Sequence, residues 1–172
     1  DVTVTGEVNK LLVPANDIEV TVKGSKNIDD ITVSGDNSKV ILDNASADNV
    51  TLDGEKSAVE TKNGAKIDNV IMSENASGAT VDVGSGTIVG NVENHAEDAI
   101  VTGKKVESDK DITVKTKDTD VKNIGDEKIT VTDKSGKDTT IGTTGSGSST
   151  VVNKETISSG GSSSSGSYTP PH

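Results

Sequence analysis

Short apolar segments with alternating polar positions recur along the chain at even intervals. One pattern places polar residues before an apolar-x-apolar triplet, as in ADNVTL from Ala47 to Leu52 and IDNVIM from Ile67 to Met72. The leading apolar residues of these triplets form a first column: Ile31, Val50, Val70, Val92, Ile112 and Ile129. Their successive separations are 19, 20, 22, 20 and 17 residues. A repeat of this length is typical of solenoids, in which one small unit is stacked many times.

Two further columns keep nearly the same period. The second column contains Val40, Val59, Val81, Ile100, Val121 and Ile141. A third, weaker column contains Ile28, Ala47, Ile67, Ile88, Val106 and Ile124, and it would close a turn of three short sides. Strands this short cannot bury one face alone, but stacked turns align identical apolar positions into ladders.

Helix is disfavoured because Val, Ile, Thr, Asn and Gly are all weak helix formers. The pattern therefore predicts an all-β fold, a single-stranded parallel β-helix or β-solenoid with about 20 residues per turn. We expect about seven turns, about 33 Å in length, wound in the right-handed sense.

Polar residues mark the expected corners between strands. Asn49 and Asn69 directly precede apolar triplets, and Asn tolerates the left-handed backbone conformation that a sharp corner often needs. The dipeptide Asn63-Gly64 is a typical turn signal. We therefore place these residues where the chain changes direction.

The chain divides into three parts. Residues 1–27 include the densest apolar stretch, Leu11 to Val13, and should form an N-terminal cap and the first turns. Residues 28–157 should form the remaining solenoid turns. Residues 158–172, SSGGSSSSGSYTPPH, have the composition of a Ser/Gly/Pro-rich linker that adds no turn.

Two register predictions follow from the period. Val50 and Val70 hold the same place in successive turns, so they should point into the core one above the other. Val151 lies 20 residues after Val131, so it should continue the repeat close to the end of the solenoid at Ile157.

The composition fits a narrow core and excludes several classes of protein. Hydrophobic residues make up 29% of the 172 residues, and Tyr168 is the only aromatic one. A net charge of −11 without any arginine argues against nucleic acid binding. The lack of cysteine excludes disulfides and thiolate metal sites, and no apolar stretch is long enough to span a bilayer.

The segments ADNVTLDG, KIDNVIM and SGATVDVGSGTIVGNV, together with the linker SSGGSSSSGSYTPP, carry a family resemblance. In these stretches the chain resembles the β-helical regions of Gram-positive cell-surface proteins that bear S-layer homology domains. The resemblance implies a secreted, non-catalytic structural, spacer or adhesion module at the cell wall or cell surface. Its implied partners are the cell wall, other surface proteins and polysaccharide.

Two alternatives stay open beside this interpretation. A self-assembling filament or surface-layer subunit is one, because the ends of a solenoid present unpaired strand edges. A carbohydrate-binding or polysaccharide-degrading β-helix domain is the other, and Asp29 with Asp48 on adjacent turns is one possible carboxylate pair. Since the chain has no arginine and only one tyrosine, we expect no enzyme and assign no catalytic residue.

The remaining polar candidates each have a simple structural explanation. His95 is the only candidate general base within the repeats, and its polar surroundings predict a solvated loop histidine. We expect no cofactor. Ca²⁺ is the one metal ion that the acidic clusters could coordinate, at Asp29-Asp30, at Asp109 with Asp111, or at Asp118 with Asp120.

The outward position of the first column forms the last candidate surface. It carries Thr32, Thr51, Thr113 and Thr130, with Ile71 and Glu93 between them. A flat threonine ladder is the geometry of ice-binding surfaces, but threonine is also a common exposed strand residue. The interruption in the middle favours the second explanation.

Overall fold

The computed structural model describes residues 1–143 and 149–154, and within these ranges it contains strands and turns but no helix. Val, Ile and Thr dominate the strands, because branched side chains favour extended backbone. The strands are β1 Val2–Thr5, β2 Lys10–Val13, β3 Glu19–Lys23, β4 Ile28–Val33, β5 Lys39–Asp43, β6 Ser46–Leu52, β7 Ala58–Lys62, β8 Lys66–Met72, β9 Thr80–Val83, β10 Ile88–Asn94, β11 Ala99–Val101, β12 Lys105–Ser108, β13 Ile112–Val114, β14 Thr119–Asn123, β15 Ile129–Thr132, β16 Asp138–Ile141 and β17 Ser149–Val152.

These strands confirm the predicted β-solenoid. The odd-numbered strands β1 to β15, followed by β16, form a first sheet, and the even-numbered strands β2 to β14, with β17, form a second sheet. Neighbours from β1 to β15 pair in parallel, so the chain alternates between the two sheets and advances by one turn each time. There are about seven turns of about 19 residues. The right-handed sense stays a prediction.

Identical apolar positions stack between the two sheets. One register of the second sheet holds Leu11, Ile31, Val50, Val70 and Val92. Val50 and Val70 are fully buried one above the other, as predicted. One register of the first sheet holds Val20, Val40, Val59 and Val81. Each such side chain contributes about 1.5–3 kcal/mol when it is buried, so these ladders are the main source of stability.

The turns become shorter after β10, and the predicted columns are wrong from there on. Val92 pairs with Val106 and Val106 pairs with Val121, at separations of 14 and 15 residues. Because each short turn shifts the period, the columns change sheets. Ile112 and Ile129 of the first column lie in the first sheet, and Val121 of the second column lies in the second sheet.

Two column residues are displaced by one position. Ile100 pairs with Thr80, and its fully buried neighbour Val101 faces the core instead. Ile88 is 57% exposed, and Val89 pairs with Ile67 in its place. The turn that leads to β10 contains extra residues, and one extra residue reverses which face of a strand each side chain occupies.

The third column does not form a separate side of the solenoid. Ile28, Ala47 and Ile67 stack within the first half of the long strands β4, β6 and β8 of the second sheet. The later turns lack this segment. Val106 consequently stacks on Val92, and Ile124 follows the end of β14.

The last two strands reverse direction. β16 pairs with β15 in antiparallel fashion, so Ile141 of the second column lies opposite Ile129. β17 pairs antiparallel with β14, which places Val151 opposite Asp120 and leaves it exposed. Val151 therefore does not continue the parallel repeat as predicted. The predicted boundary at Ile157 and the linker 158–172 lie outside the described residues.

The left-handed corner residues are only partly those predicted. Asn63 and Gly64 have φ values of 53° and 81° and form a turn as expected. Asn49 and Asn69 lie inside β6 and β8 instead, where the Nδ2 of Asn69 donates to the Oδ1 of Asn49 at 3.3 Å. The corners fall at other residues, such as Asn44, which is also left-handed.

Candidate functional site

Buried polar side chains end the strands of the second sheet where the turns are short. The inward position that holds Val33, Leu52 and Met72 in earlier turns holds Asn94, Ser108 and Asn123 in β10, β12 and β14. All three are buried, and each side-chain oxygen accepts a hydrogen bond from the backbone N–H two residues later, at 2.8–3.2 Å. These bonds satisfy the backbone of a sharp corner, so the chain can turn without a third side.

The first of these corners places His95 between two carboxylates. The Nε2 of His95 lies 2.6 Å from the Oε1 of Glu93, and its Nδ1 lies 2.9 Å from the Oδ2 of Asp109. Asp109 follows β12, and its N–H donates to the carbonyl of Asn94 at 3.2 Å. The side chain of His95 is 27% exposed and held on both sides, so it is not the solvated loop histidine that was predicted.

The two carboxylates determine the charge of His95. Partial burial lowers its pKa, but the hydrogen bonds to Asp109 and Glu93 outweigh that effect and raise the pKa above the ordinary value of 6.5. In the protonated ring both N–H groups donate. A general base needs a free lone pair within reach of a substrate proton. Since both nitrogens are occupied, the arrangement suits a cationic link between two turns better than a base.

An acidic cleft of about 350 Å³ lies next to this histidine and is called the acidic groove here. It is lined by Glu97, Asp98, Asp109, Lys110, Asp111, Glu127, Lys128 and Ile129. Asp111 accepts a hydrogen bond from the N–H of Thr130 at 2.7 Å, while the Oδ1 of Asp109 is buried without a hydrogen-bond partner. Five carboxylates against two lysines make this groove attractive to cations and to polar ligands with hydroxyl donors.

The predicted acidic clusters are exposed, and only one of them lies in a cleft. Asp29 and Asp48 occupy equivalent positions on adjacent turns, as expected. Asp118 and Asp120 lie before and within β14. Only the pair that includes Asp109 lines the acidic groove. Among residues 1–143 and 149–154, no three His, Cys, Asp or Glu side chains are grouped so that they could hold a metal ion.

The predicted threonine ladder is wrong beyond its first two members. Thr32 and Thr51 do stack, and their register continues through Ile71 and Glu93. Thr113 and Thr130 lie in the first sheet, so they do not extend this register. The outward surface therefore has no long threonine array at this position.

Sequence reasoning missed the pairing of His95 with Asp109. Glu93 was detectable, because residues two apart on a strand share a face. Asp109 required the shorter period. A signal was present, since the triplets Val-Glu-Asn at 92–94, Val-Glu-Ser at 106–108 and Val-Lys-Asn at 121–123 repeat every 14 to 15 residues.

Comparison of the chain with protein-family models, with curated proteins and with solved structures finds no match. The described part of the chain has no helix of the length and hydrophobicity that a bilayer crossing requires. The fold itself defines the class of protein, a parallel β-solenoid of about seven turns.

Proposed function

We propose that the chain is a non-catalytic spacer or adhesion module of a secreted bacterial cell-surface protein, of the type that carries S-layer homology domains. The wall, other surface proteins and polysaccharide are its proposed partners. This proposal combines the sequence resemblance with one structural observation, the uninterrupted parallel stack from β1 to β15.

The parallel stack supports a spacer because it makes a stiff rod. Each internal strand is hydrogen-bonded to the turn before and the turn after it, and the aligned apolar ladders resist bending. The occupied ring nitrogens of His95 agree with a non-catalytic role. A rod of this kind separates what is attached to its two ends by a distance that is set by the number of turns.

The length dependence can be tested on living cells. Val20, Val40 and Val59 share one register, so deletion or duplication of residues 20–58 removes or adds two turns, about 10 Å, and keeps the stacking. We expect antibody access to an epitope carried beyond the module to rise from the deleted to the duplicated form. Flexible Ser/Gly linkers with matching residue numbers are the control. Equal access at all lengths, together with no sedimentation of the purified chain with wall fragments, would contradict both proposed roles.

A second proposal, self-assembly, is favoured by the open first turn. β1 and β2 are edge strands, and Leu12 is 64% exposed beside them. Unpaired edges with apolar neighbours template association. Sedimentation velocity over a range of concentrations tests this, and Leu12→Lys should abolish any assembly that uses this end.

A third proposal, carbohydrate binding or degradation, is favoured by the acidic groove. Its carboxylates converge on one cleft, which is the arrangement that glycoside hydrolysis uses. Asp111→Asn should then reduce binding or cleavage of a polysaccharide from a panel, whereas Asp29→Asn, on an exposed edge, should not. No binding or cleavage of any polysaccharide by the native chain would eliminate this candidate.

A further inference from the structure

The change from long to short turns creates a step on the second sheet. β10 begins at Ile88, but β12 pairs with β10 only from Asn91 onward. Residues 88–90 therefore have the strand β8 on one side and no strand on the other. We call these three residues the ledge.

An apolar cavity of about 290 Å³ lies on the ledge. Its lining residues are Val83, Thr87, Ile88, Val89, Gly103, Lys104 and Thr116. Ile88 stands out here, because the equivalent positions on the two preceding turns are the polar residues Lys66 and Ser46. The chain thus exposes an aliphatic side chain at the one point where the stack leaves room beside it.

The backbone of the ledge is also open. The N–H of Ile88 donates to the carbonyl of Ala65 on the preceding turn, at 3.1 Å. Successive residues of a strand direct their backbone groups to opposite neighbours, so those of Val89 face the side that β12 leaves uncovered. An open strand edge of this kind accepts an extended peptide as an added strand.

The charge at the ledge is opposite to that of the whole chain. The chain carries a net charge of −11, yet Lys104 is the only charged residue that lines the cavity. Lys105 follows it, and within the described ranges neither lysine forms an ion pair. This local positive charge selects for an acidic occupant.

We propose that the ledge binds an extended peptide segment of a partner protein. A bulky aliphatic side chain of the peptide enters the cavity against Ile88, its backbone pairs with Val89, and its acidic residues face Lys104 and Lys105. This binding site is additional to the spacer role and does not depend on it.

The test uses a short fluorescein-labelled peptide in which glutamate alternates with isoleucine, measured by fluorescence anisotropy with the full chain. Three altered peptides separate the contributions: one with serine for isoleucine, one with lysine for glutamate, and one N-methylated at alternate amides. We expect each to bind at least about tenfold more weakly, a loss typical of one missing contact type. The N-methylated peptide isolates strand pairing, because it keeps the side chains and loses the donors.

Variants of the chain locate the site. Ile88→Ser and Lys104→Glu should each weaken binding of the original peptide by about tenfold or more. Leu12→Ser and Lys23→Glu are matched controls, since they remove an exposed aliphatic side chain and reverse an exposed lysine elsewhere on the solenoid. All four positions are exposed, and circular dichroism should show unchanged folds.

Several outcomes would overturn the proposal. No binding at about 1 mM peptide is one. Unchanged binding to Ile88→Ser and Lys104→Glu is another. Equal binding of polyglutamate would mean an anionic-polymer site, and self-association of the native chain that Ile88→Ser abolishes would mean that a second copy occupies the ledge. Tight binding with the predicted losses would support the proposal even if the length series on cells failed.

Discussion

Gly35 is the position where one added methyl group tests the stacking of turns most directly. Gly35 and Gly54 lie at equivalent corners 19 residues apart, and the N–H of Gly35 donates to the carbonyl of Val13 at 3.0 Å. A Cβ atom on Gly35 would lie 1.9 Å from the carbonyl oxygen of Ala15, where contacts under 3.0 Å are essentially never seen. Gly35→Ala must therefore push the first two turns apart by about 1 Å at this corner.

The cost follows from what that separation breaks. The N–H groups of Ser34 and Gly35 both donate to the carbonyl of Val13, and each bond contributes about 0.5–1.5 kcal/mol. Overpacking adds about 1–3 kcal/mol. We expect a total loss of about 2–6 kcal/mol in the free energy of unfolding. In a chain of this length, the melting temperature should fall by roughly 5–20 °C.

Gly64→Ala is the control for the change of residue type. Gly64 has φ of 81°, and nothing lies within 4 Å of an added Cβ, so only backbone strain of about 1–2 kcal/mol applies. Thermal and urea denaturation followed by far-ultraviolet circular dichroism measure both variants. If Gly35→Ala were no more destabilising than Gly64→Ala, the close contact between turns would be refuted.

Three further predictions test the core, the histidine and the tail. Val70→Asp should cost more than about 4 kcal/mol, because it places an unpaired charge in the core, whereas Leu12→Asp should cost less than about 1 kcal/mol; equal urea midpoints would contradict the inward ladder. The raised pKa of His95 stabilises the fold below pH 6.5, and this contribution is lost as the pH rises through the folded pKa. His95→Gln should therefore flatten the fall in stability above pH 6.5, His172→Gln should not, and an identical pH profile for His95→Gln would refute the link. Limited proteolysis should remove the chain beyond Ile157 and leave a resistant core, and resistance through to Tyr168 would contradict the linker prediction.

The first five turns could be predicted from the sequence because their signal is strictly apolar. Ile31, Val50, Val70 and Val92 repeat at about one turn length, and each is buried where the pattern placed it. Parallel stacking rewards identical residues at identical positions, so the period and the register carry the same information.

The later turns could not be predicted because polar side chains occupy inward positions there. Asn94, Ser108 and Asn123 face the core, and an apolar-polar alternation does not distinguish them from surface residues. Their burial is possible only because each finds local backbone partners. The position of Asp109 against His95 depends on that same shortened turn, so the site was missed together with the register.

The replacement of apolar by polar ladder positions has a mechanical consequence. In a linear array of turns, each turn is held by its neighbours alone, so resistance to pulling is set locally and not by the molecule as a whole. The turns that contain Asn94, Ser108 and Asn123 bury smaller and more polar side chains than the turns of Leu52 and Met72. Tension applied from the C-terminal side would detach these turns first and would leave the early turns intact. Each detached turn would release about 15 residues of slack, so the protein would yield in steps like a shock absorber.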